Sequence, residues 1–491
     1  VASTRKPAFA SAAASTPSLT AEARASVPLS PLDEAGLRLW KKAAAPAARR
    51  WVDQVGFTAR AGTTCLVPAA DGALEQVLLG VGPAVKPFAE TDGSAADPWL
   101  WAAAAKDLPA RTFRIEPAGR AKLDAAAAGA AALGWGLAAY AYERFKTSPR
   151  AWQGARLVWP EACDRAHVES TLAATALVRD LINAPASHMG PAELADAARE
   201  LGRAFGAQVR VIAGEQLLKQ NYPAIHAVGR AAALNAQPRL IDLTWGRPRD
   251  PKVTLCGKGV CFDTGGLDIK PSGGMKLMKK DMGGAAHVLG IARMIMAAGL
   301  RVRLRVLIPA VENSIAGNAM RPLDVVATRK GTTIEIGNTD AEGRVVLADA
   351  LWEAQSERPE MILDFATLTG AARVALGTEL PALFVNDDRL AADFLKAAEA
   401  TRDPLWRMPL WQPYRRQVKG QVADLTNAPE GGYGGAITAA LFLEDFVARE
   451  IPWAHIDLMA WNLTSRPGRP AGGEAMGLRA TFALIKGRFA G

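Results

Sequence analysis

Two kinds of apolar pattern take turns along the second two thirds of the chain. Strand-like runs at residues 253–256, 302–308 and 361–365 are separated by stretches whose aliphatic residues recur at helical spacing. Residues 345–354 place Leu347 over Leu351, and the segment opened by Asp281 lines up Ala285, Val288, Leu289 and Ala292 on one side. Strands interleaved with helices predict an α/β fold, with a mixed, mainly parallel sheet covered by helices on both faces. The earlier part of the chain reads as a smaller α/β domain carrying no recognisable chemistry. Pro149 and Pro160 mark a break, and a connecting helix is expected from Glu161 to about Asp180. The expected division is a flexible tail over 1–26, an N-terminal domain over 27–158, a connecting helix over 159–178 and a catalytic domain over 179–491.

Two stretches test that plan. Residues 1–26 are rich in Ala, Ser, Thr and Pro and hold no acidic residue before Glu22; they read as a tail rather than a targeting segment. Residues 125–142 are uncharged and apolar and approach the length of a membrane span. Alanine dominates them and Gly129, Gly134 and Gly136 interrupt them, so a buried helix capped by Asp124 is expected instead.

Chemistry concentrates where the apolar runs end. The stretch Asn338-Thr339-Asp340-Ala341-Glu342-Gly343-Arg344 sets two carboxylates and a guanidinium at alternate positions, between a β-branched run at 332–336 and the helical pattern of 345–354. Alone, it reads more readily as a solvated turn closed by a salt bridge than as a metal site. A second cluster follows the run 253–256: Lys258, Asp263, Asp268 and Lys270 lie among glycines, and Lys279-Lys280-Asp281 stands just beyond. Glycines there permit the tight turns that bring separate segments together. Four carboxylates, Asp263, Asp281, Asp340 and Glu342, crowded into one crevice would repel strongly, and a pair of divalent cations is their natural counter-charge. A lysine in such a cationic site loses its proton and serves as a ligand or neutral donor.

With these residues the chain resembles the leucyl aminopeptidase (cytosol aminopeptidase) family of two-metal exopeptidases. NTDAEGR is that family's hallmark, and the block 257–286 is similar to its other metal-binding segment. Residues 179–191 (RDLINAPASHMGP), 367–371 (TLTGA) and 134–149 extend the resemblance. It implies that Asp263 and Glu342 bridge two metals, that Lys258 and Asp281 complete one, and that Asp340 serves the other. It makes Lys270 and Arg344 the catalytic pair, Lys270 polarising the scissile carbonyl and Arg344 holding a bicarbonate that acts as base. It places Met278, Thr367 and Leu368 around the first side chain, which implies leucine-like or other apolar preference. Because a free α-amine would itself be a ligand, short peptides with free N-termini are the implied substrates. Zinc or manganese is the expected cofactor pair, with cobalt or magnesium tolerated by carboxylate-rich ligation. The resemblance also implies a homohexamer.

Departures from the family pattern are small. Thr264 replaces a common serine, His287 reads as a packed side chain, and Asp268 is expected to face solvent. No H-E-x-x-H, phosphate loop or G-x-S-x-G elbow is present, and the five histidines are scattered. Four unpaired cysteines, Cys65, Cys163, Cys256 and Cys261, fit a reduced, cytoplasmic protein. A chain of 491 residues, 49% apolar and 22% charged, can bury two cores. The net charge of +9 raises DNA binding as an alternative activity, but basic residues are spread evenly without interleaved aromatics, so it is not the favoured reading.

Overall fold

The computed structural model describes residues 16–82, 95–117 and 123–489. The chain forms two compact units: Leu177–Leu463 with Gly472–Gly491, and Ala12–Ala176 with Thr464–Ala471. Each is an α/β unit with a mixed, largely parallel sheet, as the apolar patterning leads one to expect. The division falls within the helix Arg165–Asn183, which begins at the Asp164 cap, where His167 N donates to Asp164 Oδ1 at 3.0 Å. Residues 161–163, expected to be helical, precede that cap.

In the N-terminal unit the sheet order is Leu19–Thr20, Arg156–Val158, Thr112–Ile115, Val27–Leu32, Leu74–Gly80, Thr64–Pro68, and only the last pair is antiparallel. Part of the expected tail is therefore structured. Residues 1–15 lie outside the described residues, but Ser18 and Leu19 are buried and Leu19–Thr20 pairs with Arg156–Val158. A two-residue strand has too little periodicity to be read from the chain. The apolar stretch after Asp124 is the helix Ala125–Ala138, capped by Asp124 Oδ1 accepting from Ala127 N at 2.7 Å. It packs so tightly on Pro98–Asp107 that a Cβ at Gly134 would stand 2.0 Å from Pro98 O. Among the described residues no helix is long and apolar enough to cross a membrane.

In the second unit the main sheet runs Trp406–Arg407, Ala382–Val385, Trp453–Asp457, Met361–Ala366, Lys252–Gly257, Arg303–Asn313, Arg239–Trp245, Gln208–Ala213, with Gly259–Asp263 joined to the far half of Arg303–Asn313. Its centre is parallel: Lys252–Gly257 pairs in that sense with both Met361–Ala366 and Arg303–Asn313. These central strands are buried along nearly their whole length because helices cover both faces. Cys256 Sγ points at Ala350 O of the helix Glu342–Ala354, while a Cβ on the next residue, Gly257, would touch Val288 of the helix Gly283–Ala297. Successive strand residues face opposite ways, so the two helices lie on opposite sides of the sheet.

One placement differs from expectation. The β-branched run before the NTDAEGR stretch forms the strand Thr333–Glu335, but in a separate three-stranded sheet with Val325–Ala327 and Leu425–Thr426. Its residues approach the ends of the main strands through a loop, a relation that no local pattern encodes.

Candidate metal centre and active site

Lys258 sits where the strand Lys252–Gly257 breaks before Gly259–Asp263. Its backbone is pinned on both sides, N donating to Phe365 O at 2.9 Å and O accepting from Ala285 N at 2.9 Å. The helix approaches here because Gly284 has no side chain; a Cβ there would stand 1.9 Å from Phe365 O. The Lys258 ammonium, 2.6 Å from Asp281 Oδ2 and 2.9 Å from Glu342 Oε1, also donates to Thr367 O at 3.2 Å. Asp281, on the short 3-10 turn Met278–Met282, accepts through Oδ1 from the Thr367 hydroxyl at 2.6 Å. Thus Lys258, Asp281, Glu342 and Thr367, which span more than a hundred positions, meet at one buried point.

A second lysine closes the other half. Lys270 Nζ lies 2.9 Å from Asp263 Oδ2 and also contacts Asp340 Oδ1. Asp263 ends its strand, and its Oδ1 accepts from Gly265 N and Asn313 Nδ2, each at 2.9 Å. Gly265 and Gly266 adopt φ of +88° and +69°, which turns the chain back so that Lys270 returns to the aspartate. Asp268 does not face solvent, contrary to expectation. Its Oδ2 accepts from Thr339 N at 2.8 Å and from the Thr339 hydroxyl at 3.1 Å, tying the Lys270 loop to the NTDAEGR loop.

Glu342 opens the helix Glu342–Ala354 and is buried, with Oε2 making no hydrogen bond within the protein. Oxygens of Asp263, Asp340 and Glu342 come within 4.8 Å of one another. Burial, reinforced by the charge of Asp263, pushes Glu342 up to about 8 and Asp340 up to about 6. Lys258 is displaced upward even though burial opposes it, because Asp281 and then Glu342 and Asp263 crowd its ammonium. Four carboxylates therefore face two ammonium groups, and one buried carboxylate oxygen is left over. That donor set fits divalent cations, which would occupy the carboxylate edge and relieve the repulsion.

Arg344, in the first turn of the same helix, donates from Nη1 to Asn427 O at 2.6 Å, while its buried Nε has no acceptor. Burial lowers its pKa to about 10, which leaves it a cation at neutral pH. Met278 and Leu368 are half-buried and Thr367 is buried. Leu368 is held by its backbone, N donating to Asp457 Oδ1 at 3.0 Å. The structure thus brings Lys258, Asp263, Lys270, Asp281, Asp340, Glu342 and Thr367 into one connected network.

A match to the description "Cytosol aminopeptidase family, catalytic domain" covers residues 176–482, and a match to "M17 aminopeptidase, N-terminal domain" covers 27–160. The chain belongs to the cytosol aminopeptidase family. It is a metal-dependent aminopeptidase, an exopeptidase hydrolase. The crystal structure of the cytosol aminopeptidase from Coxiella burnetii superposes with a TM-score of 0.87 at 49% identity, over 96% of this chain and 99% of that one. A probable cytosol aminopeptidase from Roseiflexus castenholzii is 45% identical over 316 residues, spanning 63% of this chain and 64% of that protein. One from Sinorhizobium medicae is 38% identical over 462 residues, 88% and 89% of the two chains. The bottromycin maturation enzyme BotP, solved in complex with Mn, has a TM-score of 0.82 at 36% identity over 94% of this chain and 99% of its own.

Sequence reasoning missed three polar residues that shape this cytosol aminopeptidase site. Asn313 bonds Asp263 and, at 3.1 Å, Thr339 O. Asp457 accepts from Leu368 N, Thr369 N and the Thr369 hydroxyl. Asn427 threads the NTDAEGR loop, accepting from Gly337 N at 2.8 Å and donating to Asn338 O at 2.8 Å and Ala341 O at 3.2 Å. Asn313 and Asp457 could have been noticed as polar residues closing apolar strands; Asn427 carries no local signal. His287 is a satisfied core residue: Nδ1 pairs with Gly283 O at 2.6 Å, and Nε2 accepts from Met476 N at 2.8 Å.

Gly343 explains why the hallmark has no side chain between Glu342 and Arg344. A Cβ there would stand 2.6 Å from Lys258 Cε and 2.8 Å from its Nζ. Gly343→Ala is expected to displace Lys258 and reduce kcat/KM about 100-fold, with about 1–3 kcal/mol lost in stability. Steady-state assay and thermal unfolding of the variant check both; wild-type kinetics would show that the lysine can shift freely.

Proposed function

We propose that the protein releases leucine-like or other apolar N-terminal residues from short peptides, using two divalent cations held by Lys258, Asp263, Asp281, Asp340 and Glu342. The observation that carries this reading is the convergence of Asp263, Asp340 and Glu342 oxygens within 4.8 Å around a buried carboxylate oxygen with no protein partner. When bound, such cations supply Lewis acidity to the scissile carbonyl and to a nucleophilic water. The donor set divides in two, Lys258 linking Asp281 to Glu342 and Lys270 linking Asp263 to Asp340, which supports two cation positions rather than one. Manganese or zinc suits this oxygen-rich set with its single amine, and cobalt or magnesium is tolerated.

The remaining roles belong to the side chains. Lys270, on its glycine-bounded loop, donates to the carbonyl oxygen as negative charge develops there, the stage at which a preorganised cation lowers the barrier most. Arg344 offers its free Nε edge to an anion, with bicarbonate as the candidate. Thr367 holds Asp281 in place through its hydroxyl, while Met278, Thr367 and Leu368 bound the space for the first side chain. A free α-amine would complete the recognition as a further ligand to a bound cation, which an acylated N-terminus could not supply. We extend to the chain the homohexameric assembly implied by the family, which light scattering tests directly, and the cytosolic location carried in its relatives' names.

The deciding assay compares Leu-Gly-Gly with its N-acetyl counterpart, using metal-stripped protein with and without Mn²⁺ or Zn²⁺. Leucine release is expected from the free-amine peptide alone and only after metal is restored. Cleavage of the acetylated peptide, or full activity in the stripped protein, would overturn the reading.

A further inference from the structure

The sheet that carries the metal centre at one end of its central strands carries a basic cavity at the other. Lys252 starts the strand Lys252–Gly257, and the metal-centre residue Lys258 follows it. Six residues at about 3.3 Å each put the two ends about 20 Å apart. At the Lys252 end a cavity of about 520 Å³ is lined by Pro248, Lys252, Arg303, Ser356, Glu357 and Arg358. Three segments are tied together there, Arg303 N donating to Pro251 O at 2.8 Å and Glu360 N to Lys252 O at 2.9 Å.

Charge in this cavity is unbalanced, because Glu357 is its one carboxylate against three cations. Arg303 meets that carboxylate through Nε at 3.2 Å and Nη2 at 3.0 Å, which fixes the guanidinium plane and leaves Nη1 unengaged. Lys252 Nζ donates to a backbone oxygen, Glu357 O at 2.7 Å, and forms no ion pair with a described residue, so two of its three donors stay available. The acids behind Ser356 do not supply the missing charge. Its hydroxyl is shared with Arg305 and Glu353, and Asp242 and Glu353 are themselves held by Arg305 and Arg329. The adjoining loops keep the same sign: Arg247, Arg249 and Arg301 are exposed and bring the cations from three to six, while Asp250 and Glu360 bring the carboxylates from one to three.

Arg358 is held at φ +52°, a left-handed conformation that glycine or asparagine adopts with less strain. The turn itself has no need of an arginine. Its side chain lines the cavity without an ion pair or hydrogen bond to a described residue.

We propose that this cavity binds a small molecule carrying two phosphate groups, at a site separate from the metal centre. Its volume lies in the range of small-ligand pockets. A guanidinium fixed in plane, an ammonium with free donors and a second, exposed guanidinium suit phosphate oxygens, and three cations less one carboxylate leave an excess of two charges for them to meet. The proposal does not depend on the peptide-cleaving reaction, and its failure would leave the aminopeptidase reading untouched.

The test titrates the full chain, loaded with Mn²⁺, with fructose 1,6-bisphosphate in a calorimeter, and with inorganic phosphate and a short DNA duplex beside it. The bisphosphate is expected to bind at one site per chain, more tightly than inorganic phosphate, and more weakly as salt is raised. Arg358→Gly removes a cation while supplying the residue that the left-handed turn prefers, so Tm should hold or rise while affinity falls about five-fold or more. Lys252→Met should weaken binding by a similar factor and Lys252→Arg should retain it. Leu-Gly-Gly hydrolysis should stay at the wild-type rate in all three variants, since neither residue touches the metal centre. Absence of saturable bisphosphate binding at physiological salt would overturn the proposal. Wild-type affinity in both Arg358→Gly and Lys252→Met would place the bound anion elsewhere, the metal centre included, and would overturn it equally. Binding of the duplex without binding of the bisphosphate would also overturn it and assign the face to a nucleic-acid backbone. If Lys252→Met does not fold, Arg358→Gly decides alone.

Discussion

Glu342→Gln is expected to lose bound metal and to cut peptide hydrolysis by about 10³-fold or more. The glutamine keeps the shape but removes the charge from the buried group that meets both Lys258 and the oxygens of Asp263 and Asp340. A metal contribution of several kcal/mol to charge stabilisation, at about 1.4 kcal/mol per decade, corresponds to that loss. Stability should move the other way. In metal-free protein the folded-state pKa of Glu342 lies near 8, above its unfolded value, so its ionisation weakens the fold as pH rises from the carboxylate range toward 8. The glutamine cannot ionise, and the metal-free variant should show a flatter decline of Tm over that interval than the metal-free wild type. Elemental analysis, steady-state kinetics and a Tm series on stripped protein read the three consequences separately. Wild-type metal content in the variant would remove Glu342 from the ligand set.

Lys270→Ala should separate metal binding from turnover. Lys270 contacts Asp263 and Asp340, so its removal deletes a competitor for those oxygens and should leave metal content unchanged or raised. Turnover should nonetheless fall about 10²–10³-fold, the usual loss when a preorganised donor to a developing oxyanion is deleted. The fall should appear in kcat more than in KM, because the contact strengthens as charge develops. Normal hydrolysis by a metal-replete Lys270→Ala variant would refute the role. A parallel loss of metal and activity would instead make the lysine a support for Asp263 and Asp340.

The contrast between Glu342 and Asp268 shows how far local pattern carries. Glu342 lies in an unbroken hallmark and at the head of a helix whose spacing is plain in the chain, so its place beside Asp340 and Arg344 was legible. Asp268 was read as a solvated side chain, yet it holds Thr339, seventy-one positions later. A short polar side chain among glycines carries no periodicity, and nothing nearby announces that its partner arrives from another sheet. The tail boundary failed for the same reason: Leu19–Thr20 is stabilised by Arg156–Val158, not by its own neighbours.

By itself the sequence determined the family, the α/β alternation, the buried central strands and the residue types able to hold metal, because these are written in continuous runs and short motifs. It also determined that the apolar run over 125–142 would hold a capped, buried helix, since an alanine-rich segment with glycines gains too little from lipid, though the helix ends at Ala138. Only the tertiary structure decided which carboxylates each lysine holds and that Asn427 and Asp457 shape the hallmark loop and the pocket turn. Those facts depend on contacts between segments tens to hundreds of residues apart. Such contacts are set by how helices cover the two faces of the sheet and by glycines at Gly257, Gly284 and Gly343 that let backbone and lysine pass at close range.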